Sequence, residues 1–177
     1  MHMSSPETQV ENLTLRQRIT AAAEPFDHAF SGYGLDIGGR DGTMVPVIRA
    51  LGIDRVGIVD PDAAALDKAI ASGLISHSDA YGQYLTDYVA EGHDQADTAF
   101  VFNMQPRLAS DIGFLRALGS VVRPQGLVVA SFMEPITAHQ FSSNIRRQGQ
   151  LTRMASAPPA ESVRQPHAFI HLWRRIS

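Results

Sequence analysis

The sequence predicts an α/β fold, an open and mostly parallel sheet with helices on both faces and an antiparallel C-terminal strand hairpin. Three observations predict it. From Gly34 onward short apolar runs alternate with helical stretches, the pattern of parallel strands joined by right-handed crossovers. Two of those runs, 98–102 and 127–132, are close to continuously apolar, as strands covered on both faces are. The last two strand candidates have a proline-rich loop and no helix between them, so they pair antiparallel or leave an edge bare.

Taken in order, Val10, Leu13, Leu15, Ile19 and Ala22 recur at helical spacing, which predicts a helix over 8–23 that Pro25 stops. Residues 35–37 form a brief strand that breaks into glycines. A helix over 43–51 is closed by Gly52, and the strand 55–59 ends at Asp60-Pro61. The alanine-rich helix 63–72 is closed by Gly73. Residues 74–78 are read as a third strand and 84–91 as a short helix. After strand 98–102, a helix over 108–122 is stopped by Pro124-Gln125-Gly126. Strand 127–132, helix 137–147 and the tail strands 151–155 and 168–174 complete the order.

The chain of 177 residues is the size of one domain. Residues 1–29 read as an N-terminal helical extension and 30–177 as the ligand-binding domain. A hydrophobic share of 44% and a mean hydropathy near zero argue against disorder, and no run nears the ~18 apolar residues of a membrane span. The first five residues lack the basic start and apolar stretch of a secretory signal. There is no cysteine, which excludes disulfides, thiolate metal sites and cysteine nucleophiles and fits a cytoplasmic protein. The net charge of −3 divides unevenly. Residues 1–106 carry 15 acidic and 6 basic side chains, residues 107–177 carry 3 and 9. No dense basic run with interleaved aromatics accompanies the excess, so solvated or internally paired arginines are favoured over a nucleic-acid surface.

In an open α/β sheet, ligands bind in the crevice beyond the carboxyl ends of the central strands. The first strand ends there in Asp36-Ile37-Gly38-Gly39-Arg40-Asp41-Gly42, whose glycines permit a tight turn and close approach of a ligand to backbone. The second ends in Val59-Asp60-Pro61-Asp62, where one aspartate can accept paired hydrogen bonds from a ribose and the other can cap the next helix. Ser78-Asp79-Ala80 follows the third predicted strand, where a carboxylate and a backbone N–H can read an adenine edge; a turn-forming aspartate is the competing explanation.

This ordered set resembles the class I, Rossmann-like S-adenosylmethionine-dependent methyltransferases over residues 30–177. The matching stretches are Leu35-Asp36-Ile37-Gly38 with Gly42, Val59-Asp60, Asp79-Ala80, the 97–103 stretch Asp-Thr-Ala-Phe-Val-Phe-Asn, the turn Arg123-Pro124-Gln125-Gly126 into Leu127-Val128-Val129, and the closing His171-Leu172-Trp173-Arg174. The resemblance implies S-adenosylmethionine as cofactor. Gly38, Gly39 and Gly42 would approach its methionyl and ribose parts, and Asp36 would help position its amino group. Asp60 would hold the ribose hydroxyls, Pro61 would pack on adenine, Asp79 and Ala80 would read the adenine edge, and Asn103 would lie near the sulfonium. A small-molecule methyl acceptor is implied, with a catalytically silent scaffold or a nucleic-acid methylase as alternatives.

Two departures stand out. Arg40 occupies a position where the family has glycine, and it either points to solvent or crowds the cofactor. Asn103-Met104-Gln105-Pro106 is not the Asn-Pro-Pro-aromatic clamp of amino-nitrogen methylases. A nicotinamide-binding relative would need G-x-G-x-x-G, whereas this turn reads G-G-R-D-G. Methyl transfer from a sulfonium requires alignment more than a fixed catalytic side chain, so no catalytic residue is assigned. Glu134 and His139 are candidate bases, with helix-dipole and solvated explanations respectively. His77, His93, His139, His167 and His171 offer no metal-ligand spacing, and His167 and His171 read as strand residues packed near Trp173. The N-terminal helix either covers the cofactor cleft or pairs the chain into a homodimer.

Overall fold

The computed structural model describes residues 6–157 and 166–177. Its strands are β1 (Tyr33–Ile37), β2 (Arg55–Val59), β3 (Ala80–Tyr81), β4 (Ala96–Val101), β5 (Val122–Phe132), β6 (Leu151–Ala157) and β7 (Phe169–Arg175). Its helices are α1 (Pro6–Ala23), α2 (Val45–Ala50), α3 (Ala63–Ala71), α4 (Leu85–Ala90), α5 (Pro106–Ala109), α6 (Ile112–Val121) and α7 (Pro135–Gln148). The seven strands form one sheet in the order β3-β2-β1-β4-β5-β7-β6. β1 to β5 run parallel, and β7 is antiparallel to both its neighbours. The order reverses between β1 and β4, which opens the crevice at their carboxyl ends.

Alternation along the strands feeds two cores, one on each face of the sheet. Leu35, Ala99, Val101, Val128 and Trp173 pack with Tyr88, Leu115, Leu118, Phe141 and Ile145 of α4, α6 and α7. Ile58, Phe100, Val129 and Leu172 pack with Leu15, Ile19, Ile48 and Leu66 of α1, α2 and α3. Cover on both sides explains why β1 is buried along its whole length. Among the described residues no helix is long and apolar enough to cross a membrane.

Local chemistry decides where the elements stop. Asp62 caps α3 by accepting from Ala65 N at 3.1 Å, and Asp111 caps α6 by accepting from Phe114 N at 3.0 Å. That second cap divides the predicted helix 108–122 into α5 and α6. The largest correction concerns the third strand. Residues 74–78 do not form it: Ser76 Oγ bonds both Ser78 Oγ and Asp79, closing a 3-10 turn over His77–Asp79, and the strand begins only at Ala80.

Candidate functional site

β1 carries Asp36 into the glycine turn. Gly38 and Gly42 have φ of 74° and 79°, open to glycine without a steric cost, and Arg40 takes φ of 46° with a full side chain. Gly38 N donates to Val59 O at 2.8 Å, which stitches the turn to β2. A Cβ added at Gly38 would meet no atom within 4 Å, so the backbone there is open to a ligand, whereas one at Gly39 would strike the Asp36 carboxylate. Asp36 is 1% exposed and its Oδ2 has no hydrogen-bond partner among the described residues. Burial, and then the neighbouring Asp60 carboxylate, push its carboxyl up to about 7.

Asp60, just past β2, is buried, and each of its oxygens accepts a main-chain bond, from Arg40 N at 3.1 Å and from Asp62 N at 2.8 Å. A carboxylate has about four acceptor positions, so these bonds orient it and leave capacity for a ligand. Asp79 is not with it. Asp79 Oδ1 accepts from Arg55 Nε and pairs with its terminal nitrogen, both at 2.7 Å, and Ser76 Oγ donates to Oδ2 at 2.7 Å. Asp79 lies just before β3, level with Gly57 in the middle of β2, and its carboxylate is taken by Arg55 at the start of that strand, whereas Asp60 follows the strand's end. The residue at the carboxyl tip of β3 is Gln83, whose Nε2 is buried without a partner among the described residues.

Asn103, at the tip of β4, has φ of 50°. Its backbone N–H donates to Ser131 Oγ at 2.9 Å, and its Oδ1 accepts from His167 N at 2.7 Å. Ser131 Oγ also meets His167 Nδ1 at 2.8 Å. Burial, and then the Arg18 guanidinium, lower His167 to about 4, so its imidazole is neutral near pH 7.

Two clefts of about 290 and about 400 Å³ open over these residues. They share Gly38, Arg40, Phe102 and Asn103, which makes them lobes of one crevice. Asp60, Pro61 and Gln83 line the first lobe; Asp36, Gly39 and His167 line the second. Gly42 lines neither: a Cβ there would press on Leu74 and Ala69, so it serves helix–sheet packing. Asp79 and Ala80 line neither, and so do the exposed Glu134 and His139.

No family profile and no curated protein matches this sequence. Solved structures do match. N-methyltransferase NodS from Bradyrhizobium japonicum, in complex with S-adenosyl-L-homocysteine, aligns at a TM-score of 0.68 and 15% identity over 94% of this chain and 88% of that one. An S-adenosylmethionine-dependent methyltransferase from Clostridium acetobutylicum aligns at 0.69 and 9% identity, over 92% and 91%. The mitomycin 7-O-methyltransferase MmcR aligns at 0.60 and 16% identity, over 93% of this chain and 54% of its own.

The chain has the class I methyltransferase fold.

Within this methyltransferase fold, sequence reasoning missed Gln83 and His167. Gln83 had a signal in Gly82, the glycine that follows a two-residue strand, but the apolar Leu74-Ile75 drew the strand too early. His167 had none, since its partner Asn103 lies 64 residues away.

Proposed function

We propose that the chain is an S-adenosylmethionine-dependent methyltransferase acting on a small molecule. The observation that carries the reading is a pair of buried polar atoms without partners among the described residues, Asp36 Oδ2 and Gln83 Nε2, in a crevice lined by Gly38, Asp60 and Asn103. Buried polar groups are nearly always satisfied, so atoms left open beside a cleft fit a ligand that completes them.

The residues present fit the cofactor's chemistry. Asp36 would take its ammonium, Gly38 would admit it against bare backbone, and Pro61 would pack on its base. Asp60 would take the ribose hydroxyls and Gln83 the adenine edge. S-adenosylmethionine, when bound, supplies a methyl group activated on a sulfonium. Asn103, locked by Ser131 and His167, would align an acceptor with that methyl, and the larger cleft, about 400 Å³, is of the size of small-molecule sites.

Titration calorimetry with S-adenosylhomocysteine tests this. One-to-one binding is expected, weakened on the order of tenfold in Gln83→Ala and more in Asp60→Asn. Absence of heat with the intact chain overturns the reading.

A further inference from the structure

Among the described residues five that are not glycine have positive φ, and three of them, Arg40, Asn103 and His167, line the same 400 Å³ cleft. Such conformations cost free energy and gather where the surroundings hold a side chain in place for a ligand. Asn103 and His167 are explained by their mutual hydrogen bonds. Arg40 is not. Its backbone N–H is used, on Asp60, but among the described residues its guanidinium makes no ion pair, although Asp36, Asp41 and Asp60 are close by in the chain or the cleft. Asp41 is engaged with the Thr43 hydroxyl.

Arg40 is exposed and lines both lobes, so it borders with a cation a crevice that on the methyl-transfer reading also receives a sulfonium. On that reading Asp36 and Asp60 of the same crevice are taken by the cofactor's ammonium and ribose, which leaves the Arg40 guanidinium's donors for a further anion. Arg107, at the start of α5, is a second arginine, lining the adjoining lobe and without an ion pair among the described residues. Resting on the reading above, we propose that Arg40 is a specificity-determining residue that holds a carboxylate or phosphate of the methyl acceptor, with Arg107 contributing from the neighbouring lobe. The guanidinium matches either anion by paired N–H donors. Phe102 and Met104 beside it supply an apolar wall, so the acceptor is an organic acid or phosphate ester with a hydrocarbon or aromatic body.

The test is a titration of the full chain with benzoate, phenyl phosphate and benzamide, with and without saturating S-adenosylhomocysteine, followed by NMR of arginine side chains and of the Asn103 and His167 amides. Saturable shifts are expected at Arg40 with benzoate or phenyl phosphate, the stronger of the two naming the anion, and no saturation with benzamide. In Arg40→Gly, which suits the backbone conformation and so should fold at least as well, anion affinity is expected to fall at least about fivefold while S-adenosylhomocysteine affinity stays within about twofold. Benzamide binding as tightly as benzoate overturns the proposal. So do shifts of equal size at the surface residues Arg146 and Arg147, which mark an adventitious ion only. A loss of S-adenosylhomocysteine affinity of about tenfold in Arg40→Gly overturns it too, because Arg40 then serves the cofactor's own carboxylate. If S-adenosylhomocysteine fails to bind wild type, the methyl-transfer reading falls by itself, and the anion arm on the free chain still decides what Arg40 holds.

Discussion

Ser131 Oγ lies 2.8 Å from His167 Nδ1, tying the fifth strand of the sheet to the residue that leads into the seventh. The partner on the other ring nitrogen follows from the main chain. Asn103 Oδ1 accepts from His167 N, so its Nδ2 is the atom turned to His167 Nε2, at 3.5 Å. An amide N–H there requires Nε2 to accept, which places the imidazole proton on Nδ1, donated to Ser131. One histidine thus joins the tips of three strands in a single protonation state.

That arrangement has a pH signature. His167 is lowered to about 4, by burial and then Arg18, and His171 to about 4, by burial and then Arg153 and Arg146. Between about 4 and the ordinary histidine value of 6.5 the unfolded chain binds protons that the folded chain refuses, so this stability is complete above 6.5 and lost as pH falls. Urea unfolding at pH 7.5 and pH 5 should reveal the slope, and His167→Gln should flatten it. Equal slopes in wild type and variant would remove His167 from this role.

Asp36 acts with the opposite sign. Its carboxyl is raised to about 7 from 3.8, so the unfolded chain gives up this proton earlier and stability is lost as pH rises across that window. Asp36→Asn is expected to stabilise the unliganded chain at pH 8 by on the order of 1–3 kcal/mol, with the difference gone near pH 4. It should at the same time weaken S-adenosylhomocysteine. A variant that is less stable at pH 8 would mean the carboxylate has a partner after all.

Asp79 and Gln83 separate fold from site. Asp79→Ala breaks the pair with Arg55 and should cost about 1 kcal/mol in a melting experiment, without moving S-adenosylhomocysteine affinity beyond about twofold. Gln83→Ala should do the reverse. If the affinity loss followed Asp79, the corrected third strand would be in error.

Arg18 on the first helix donates to His167 O at 2.7 Å and to Ala168 O at 2.8 Å. Replacing it with Met keeps the aliphatic stem and leaves two part-buried carbonyls short of a charged donor, at a cost of about 1–3 kcal/mol. Hydrogen exchange should rise first at residues 167–170. Protection unchanged there would show that the helix does not hold the strand entrance.

Much of this molecule was legible in local patterns. The alternating apolar runs, the closing antiparallel pair, the Gly38 turn and the Asp60 tip rest on interactions between residues near in sequence, and apart from the third strand the strands follow one another along the chain as those patterns predict. Boundaries moved where side chains capped their own backbone, as at Asp111. The third strand moved because Ser76 and Asp79 bond each other, and hydroxyl–carboxylate turns compete with a short apolar run for the same backbone.

Tertiary structure alone decided the rest. What an aspartate meets depends on the rest of the fold: Asp79 finds Arg55, 24 residues back, while Asp60 accepts from the main-chain N–H groups of Arg40 and Asp62 and lines the crevice. The state of Asp36 follows from burial that no neighbour in sequence dictates, and His167 reaches the site through partners 36 and 64 residues away. Periodicity and turn chemistry are properties of adjacent residues, so a sequence states them directly. Desolvation and long-range hydrogen bonds exist only once the sheet has brought its strand tips together.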